Sequence, residues 1–391
     1  MTPPRATTGH LVIGGGPAGS MLAMRLAAAG REIVLLERER AAHHKVCGEF
    51  LSREAVEYLR QAGVDPLALG AATIRFVSLS VKRKVVEAAL PFTALSLSRF
   101  VLDEALLARA AELGCHVQRG ACVEKLTLHE GMWVAQLRDE APQYESWSAP
   151  TVFLANGKHD LRGLERKRGV QHDLIGFKLY WRLAPAQTAA LRERMELFLF
   201  PGGYGGLSLV ETDVANFCLV VRRSALRKIG GWDELLSSLL EENQRLGQRL
   251  QGATALWKRP LAVSPIPYGY LAGGPIVPWC VGDQAAVIPS FTGDGMAIAL
   301  HSASLAAHMY LADKTKDEYY RTLHVHMSRS MGLATKLSRA MVTGTGRTLA
   351  SFSLSPFPNA LRWIADSTRI PEHALLRTAP LTLARPRSAS A

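Results

Sequence analysis

The run Gly14-Gly15-Gly16-Pro17-Ala18-Gly19, set between an apolar stretch and a helical one, constrains the fold of the first forty residues more than any other feature. His10-Leu11-Val12-Ile13 reads as a short strand, Ser20 to Ala29 as a helix ended by Gly30, and Glu32 to Glu37 as a second strand. In that setting a G-x-G-x-x-G run has a mechanical meaning: glycines permit a tight turn, a close approach of backbone to pyrophosphate, and close packing of helix on strand. Gly14, Gly16, Pro17, Ala18 and Gly19 are therefore candidate nucleotide contacts, and Glu37, with Arg38 after it, stands where a ribose would be held. Leu11 to Gly30 is also a mostly apolar window of twenty residues, which a hydropathy scan would read as a signal peptide or membrane span. The Gly14-Gly15-Gly16-Pro17 break and Arg25 argue for strand plus helix instead.

A second glycine-rich turn lies far along the chain. Pro278 to Gly282 is an apolar run ending at a glycine, and Asp283 comes next with a carboxylate able to accept hydrogen bonds from sugar-like hydroxyls. Pro289 then opens a turn holding Gly293, Asp294 and Gly295, and Met296 to Met309 reads as a helix. Unpaired N–H groups and the helix dipole favour negative charge at such a place, and a reduced flavin carries one on its ring.

These two turns, the Lys45-Val46-Cys47-Gly48-Glu49 segment, Ser98-Arg99 with Leu102-Asp103, and Ala155-Asn156-Gly157 succeed one another as in FAD-dependent enzymes. Across residues 8 to 330 the chain resembles the geranylgeranyl reductase and aromatic hydroxylase superfamily. The resemblance implies one extended FAD, its adenosine on the N-terminal unit and its isoalloxazine near Pro289 to Gly295. It also implies cofactor contacts at Cys47, Gly48, Arg99, Val123, Asn156, Gly157, Gly282, Asp283, Gly293, Asp294, Gly295 and Met296. Arg99 opens a helix running to about Leu113, where an arginine can meet phosphate or flavin oxygen. Several relatives have an acid in place of Asn156, and a role tied to that acid does not carry over.

Cys47 is the candidate catalytic residue. In reductases resembling this chain a cysteine here lies against the flavin, and Lys45 with His43 and His44 could make the thiol reactive. The plainer reading is a small space-filler under the cofactor. The five cysteines show no C-x-x-C pair, which suits a reducing cytoplasm better than a disulfide framework. No metal site is expected, since neither His324 with His326 nor His43 with His44 has the spacing of H-x-x-x-H on one helix face. No G-x-S-x-G nucleophile elbow occurs.

With 391 residues and 48% hydrophobic content, an α/β chain of two interleaved domains is expected. The FAD-binding domain of Rossmann type takes 8–73, 96–165 and 259–330, and an inserted, mostly antiparallel β-sheet substrate domain takes 74–95 and 166–258. Strands are expected at Leu174-Leu179, Met195-Phe200, Gly206-Val210 and Phe217-Val221, with a glycine turn over Pro201 to Gly206 and one amphipathic helix from Trp232 to Leu250. C-terminal helices are expected over 331–377 and a disordered tail over 378–391. From Met331 onward eight Lys/Arg face two acids, half of the chain's net +12. An ordinary helical cap over the cavity accounts for that charge, with peripheral contact to an anionic membrane as the alternative. Nucleic acid is not an expected partner, because no basic patch is interleaved with stacking aromatics.

No second nucleotide motif occurs, so NAD(P)H would have to dock transiently, or another protein would supply electrons. The reading favoured here is a monooxygenase in which NAD(P)H reduces FAD and oxygen is then used on a hydrophobic aromatic or polyketide-like molecule of secondary metabolism. The alternative is a reductase of C=C bonds in a prenyl or lipid chain. Reductases of that kind often carry a Tyr-x-Trp-x-Phe-Pro stretch, of which Phe200-Pro201 keeps the end. A halogenase is less favoured, lacking the Trp-x-Trp-x-Ile-Pro pattern, and a non-catalytic flavin-binding protein is the remaining alternative.

Overall fold

A computed structural model describes residues 5–138, 144–273, 278–346 and 359–383. Its centre is a five-stranded sheet in the order Trp279–Cys280, Thr151–Leu154, His10–Ile13, Ile33–Glu37, His116–Arg119, with every pairing parallel. Parallel strands need both faces covered, which explains the unbroken apolar run in Ile33–Glu37. The helix Pro17–Ala28 lies against Gly295–Leu311 and Arg99–Glu112, and its residues from Pro17 to Ala27 are all buried. That burial accounts for the span-like hydropathy of the N-terminus, and no described helix is long and apolar enough to cross a membrane.

The second large element is a nine-stranded sheet built on Ala72–Val81, Lys84–Ser96, Leu174–Arg182, Glu193–Phe200, Gly203–Leu209 and Ala215–Arg222. It is antiparallel except where Glu193–Phe200 runs beside Ala72–Val81. Side chains alternate between its faces. Phe177, Phe198, Phe200 and Phe217 pack with Leu235, Leu239 and Leu246 of the covering helices, whereas Val77, Leu79, Leu199, Tyr204 and Val220 form the opposite face.

Several expected boundaries move. The single helix from Trp232 to Leu250 is two, Trp232–Glu242 and Gln244–Leu250, divided at Asn243, whose side-chain oxygen accepts the Leu246 N–H at 3.1 Å and so caps the second. The glycine turn is also shorter, because Gly203 already pairs with Val221 as strand; a Cβ on it would lie 2.3 Å from the Val220 carbonyl oxygen. Position 331 falls inside one helix, Lys316–Met341, opened by a capping box of Thr315 and Glu318, so the chain is helical without a break across the expected boundary at 330.

The C-terminus turns back on the nucleotide domain. After the helix Asn359–Ser367, residues 368–383 form an extended strap. Leu376 N–H donates to Tyr58 Oη at 3.0 Å, and Leu381 N–H donates to the Gln61 carbonyl at 2.8 Å. Thr378 Oγ1 donates to Gln61 Oε1 at 3.0 Å and accepts from Arg25 at 3.2 Å. The stretch expected to be disordered is thus tied down as far as Leu381, and 384–391 lies outside the described residues.

Candidate functional site

One cavity of about 1040 Å³ runs from the first glycine turn, past the Lys45–Glu49 segment and the Pro289–Met296 turn, to the inner face of the nine-stranded sheet. Of the residues expected to contact a cofactor, Gly14, Gly16, Pro17, Ala18, Glu37 and Arg38 line one end. Cys47, Gly48, Arg99, Val123, Asn156, Gly157, Gly282 and Asp283 line its middle, and Gly293, Gly295 and Met296 lie further along. Gly19, Pro289 and Asp294 do not line it. Gly19 sits behind the turn, where a Cβ would lie 1.8 Å from the Gly14 carbonyl oxygen, so its role is to let the helix close on the strand. Asp294 is fully buried beneath its turn.

The first turn needs its glycines. Gly14 has φ +108°, and a Cβ there would meet the Ala155 carbonyl oxygen at 2.5 Å. Glu37 Oε2 accepts the Gly15 N–H at 2.7 Å, which fixes the acid at the cavity wall. The next helix starts at Pro17 with no acid in its first turn and no side-chain cap, leaving its first N–H groups for a ligand.

Charges in the middle of the cavity are paired. Arg99 forms a bidentate pair with Asp103 at 2.6 and 2.8 Å, and Lys45 reaches the same carboxylate at 3.0 Å. Burial opposes charge on both partners, yet Asp103 raises the Arg99 guanidinium further and Arg99 with Lys45 pulls the Asp103 carboxyl down. Asp283 meets Lys158 at 2.9 Å, and Arg166 donates to the Asp283 carbonyl at 2.7 Å. Burial would raise the Asp283 carboxyl, but Lys158 beside it, with Arg166 and Arg99, outweighs burial and lowers it.

The Lys45–Glu49 turn is held from the nine-stranded sheet. Glu49 and Lys178 are both fully buried and joined by a short charged hydrogen bond, and Tyr180 Oη donates to the other Glu49 oxygen at 2.7 Å. Asn216 Nδ2 donates to the Cys47 carbonyl at 3.1 Å, and the Glu49 N–H points to Cys47 Sγ at 3.3 Å. Burial lowers the His43 and His44 rings, which keeps them neutral at pH 7. Neither they nor Lys45, spent on Asp103, supplies a free positive charge to the thiol.

Beyond the Pro289–Met296 turn the walls turn aliphatic, with Val77, Leu79, Leu90, Leu197, Met341 and Leu361. A row of hydroxyls interrupts them: Tyr268 Oη donates to Ser290 Oγ at 2.8 Å, Ser290 Oγ to Tyr204 Oη at 3.5 Å, and Tyr204 Oη lies 3.5 Å from Ser338 Oγ. Burial raises both tyrosines, so they hold their protons at neutral pH.

The residues present fit an extended dinucleotide. Asn156 Oδ1 and His43 Nε2 are buried beside the cavity without partners among the described residues, the glycine turn excludes side chains from the groove, and two helix starts face it. An FAD-binding-domain family model matches residues 7–159. Over 324 residues the chain is 25% identical to digeranylgeranylglycerophospholipid reductase 2 of Methanopyrus kandleri, covering 76% of each chain. Over 353 residues it is 23% identical to menaquinone reductase of Mycolicibacterium smegmatis, covering 84% of this chain and 83% of that one. The chain is an FAD-dependent oxidoreductase, similar in sequence to these two reductases. The flavoprotein also shares its fold with a myxobacterial chondrochloren halogenase, at TM-score 0.73 and 17% identity over 93% of this chain and 91% of that one. Sequence reasoning missed Lys158, Lys178, Tyr180, Tyr204, Tyr268 and Arg369 as groups bordering this site. None sits in a glycine motif, and the buried lysine in the apolar run Leu174-Ile175-Gly176-Phe177-Lys178-Leu179 was the one local sign.

Proposed function

We propose that this flavoprotein saturates carbon–carbon double bonds in an isoprenoid or similar lipid chain, with a reduced nicotinamide as electron source. The observation that carries the reading is the aliphatic wall of Val77, Leu79, Leu90, Leu197, Met341 and Leu361 beyond the flavin turn, suited to a long flexible hydrocarbon. Two curated relatives named as reductases point the same way.

Bound FAD supplies two-electron, hydride-donating chemistry. The chain's own residues do the rest. The aliphatic wall binds the substrate and excludes water, and the Tyr268–Ser290–Tyr204 row holds protons beside the Pro289–Met296 turn. Saturating one double bond takes a hydride on one carbon and a proton on the other, and Tyr268 Oη or Tyr204 Oη holds such a proton.

A second reading, hydroxylation of a planar aromatic molecule, is favoured by Phe92, Tyr204, Tyr268 and Phe291, rings that line the same part of the cavity. Anaerobic stopped flow separates the two. Protein reduced with NADPH is mixed with a polyprenyl substrate or with oxygen plus an aromatic one, and products are weighed. Rapid reoxidation by the polyene with two mass units gained per bond supports the reductase; sluggish reoxidation by it, with oxygen inserted into the aromatic, rejects that reading for the second.

A further inference from the structure

The flavin turn is gripped by a residue of the C-terminal strap that also borders the cavity. Arg369, almost wholly buried, donates from Nη1 to Asp294 Oδ1 at 3.1 Å and from Nη2 to the Thr292 carbonyl oxygen. Its Nε donates to the Ala365 carbonyl at 2.9 Å, and its guanidinium lies 5.4 Å from the centre of the Phe92 ring. One side chain therefore ties together the cavity-lining helix Asn359–Ser367, the substrate sheet and the turn that opens Gly295–Leu311.

The turn would otherwise present the wrong polarity. Thr292 offers a carbonyl and Asp294 a carboxylate where Gly295 and Met296 line the cavity at a helix start suited to negative charge. Asp294 Oδ1 also accepts from Ser52 Oγ at 3.2 Å, while Oδ2 is buried with no partner among the described residues. Burial raises the Asp294 carboxyl to about 6 even with Arg369 beside it, so above that pH Arg369 takes up both acceptors and balances the carboxylate, and leaves the N–H groups of the helix start to dominate the field felt inside the cavity.

We propose that Arg369 is a positioning residue of the FAD site, acting through Thr292 and Asp294 to fix the flavin turn and to favour the reduced, negatively charged ring. This rests on FAD binding alone and not on which substrate is reduced.

The test uses the full chain. Arg369→Met should weaken FAD affinity, read by fluorescence titration, at least tenfold. It should also weaken binding of reduced relative to oxidised FAD about tenfold, which lowers the two-electron potential by roughly 30 mV. Arg369→Lys keeps the charge, so its potential should stay near wild type while affinity is intermediate. Removing the acid as well, in Arg369→Met with Asp294→Asn, should bring the potential back. Thr378→Val loosens the strap at a distance, and its FAD affinity should stay within about twofold of wild type. Folded Arg369→Met with wild-type affinity and potential overturns the proposal. So does Thr378→Val if it reproduces the Arg369→Met effect, for then strap order alone matters.

Discussion

Lys158 and Asp283, 125 positions apart in sequence, meet at 2.9 Å in the middle of the cavity. The pair joins the loop after Thr151–Leu154 to the loop after Trp279–Cys280. Asp283→Ala should lower FAD affinity by about tenfold or more, given that a charge-assisted hydrogen bond contributes roughly 1.5–3 kcal/mol. Equilibrium titration with FAD checks this, and an unchanged dissociation constant removes the assigned role. Because the Asp283 carboxyl is lowered in the folded protein, its contribution is present above the ordinary carboxylate range and is lost only as pH falls through the folded value. FAD retention should therefore owe no pH dependence between about 6 and 8 to this group.

Glu49 and Lys178 form a fully buried pair. Glu49→Gln or Lys178→Met alone should cost about 3–5 kcal/mol in urea melts, since each leaves a buried charge uncompensated. The double variant should recover a large part of that loss. Additive losses would show that the two do not act as a pair.

His301 offers a pH test. Burial, with His326 beside it, pushes this ring down to about 3, well under its ordinary 6.5. Leu376 N–H donates to Tyr58 Oη, which lies 2.8 Å from His301 Nδ1, and His301 Nε2 lies 3.0 Å from His326 Nδ1, so the neutral ring shares hydrogen bonds on both sides. A base depressed in the folded state contributes stability that is full above about pH 6.5 and is lost progressively as pH falls toward about 3. Urea melts of wild type should lose stability between about pH 7 and 5, at about 1.4 kcal/mol per unit below about 6.5 from this group alone. The His301→Gln variant should show a shallower dependence; an identical slope would assign the loss to other groups.

Cys47→Ala should keep its flavin and turn over within about threefold of wild type. The cations near the thiol are otherwise engaged or neutral: Lys45 and Arg99 are on Asp103, Lys158 is on Asp283, and burial lowers both His43 and His44. Single-turnover reoxidation by substrate is the measurement. A loss beyond about thirtyfold at full flavin content would give Cys47 a chemical step.

The two glycine turns were legible because close backbone approach leaves a local mark. Gly14 and Gly293, with φ of +108° and +68°, sit where a Cβ would strike Ala155 and Phe50. The parallel unit was equally legible, its strands being short, apolar and separated by a helix. The partners that set charge in the cavity left no such mark. Lys178 answers Glu49 across 129 positions and Arg369 answers Asp294 across 75; Lys178 stands out only by its apolar surroundings, and Arg369 looks like an ordinary basic residue until the fold closes. The break at Asn243 was hidden for a related reason: the amphipathic pattern continues on both sides, and only the side-chain cap marks a new start.

The central sheet has a consequence for how the chain comes into being. Its edge strand, Trp279–Cys280, pairs with Phe153–Leu154, and the strap that grips the flavin turn arrives still later, after residue 367. A ribosome therefore releases the whole antiparallel insertion before the nucleotide fold can close, and such distant pairings are slow to form. The nascent N-terminal half must wait with one side of its apolar helix Pro17–Ala28 uncovered, because Gly295–Leu311, which covers that side, is made late, and only Arg99–Glu112 and the early strands pack on the helix before it. Flavin loading is on this account a late event in the life of the polypeptide, coincident with the completion of folding.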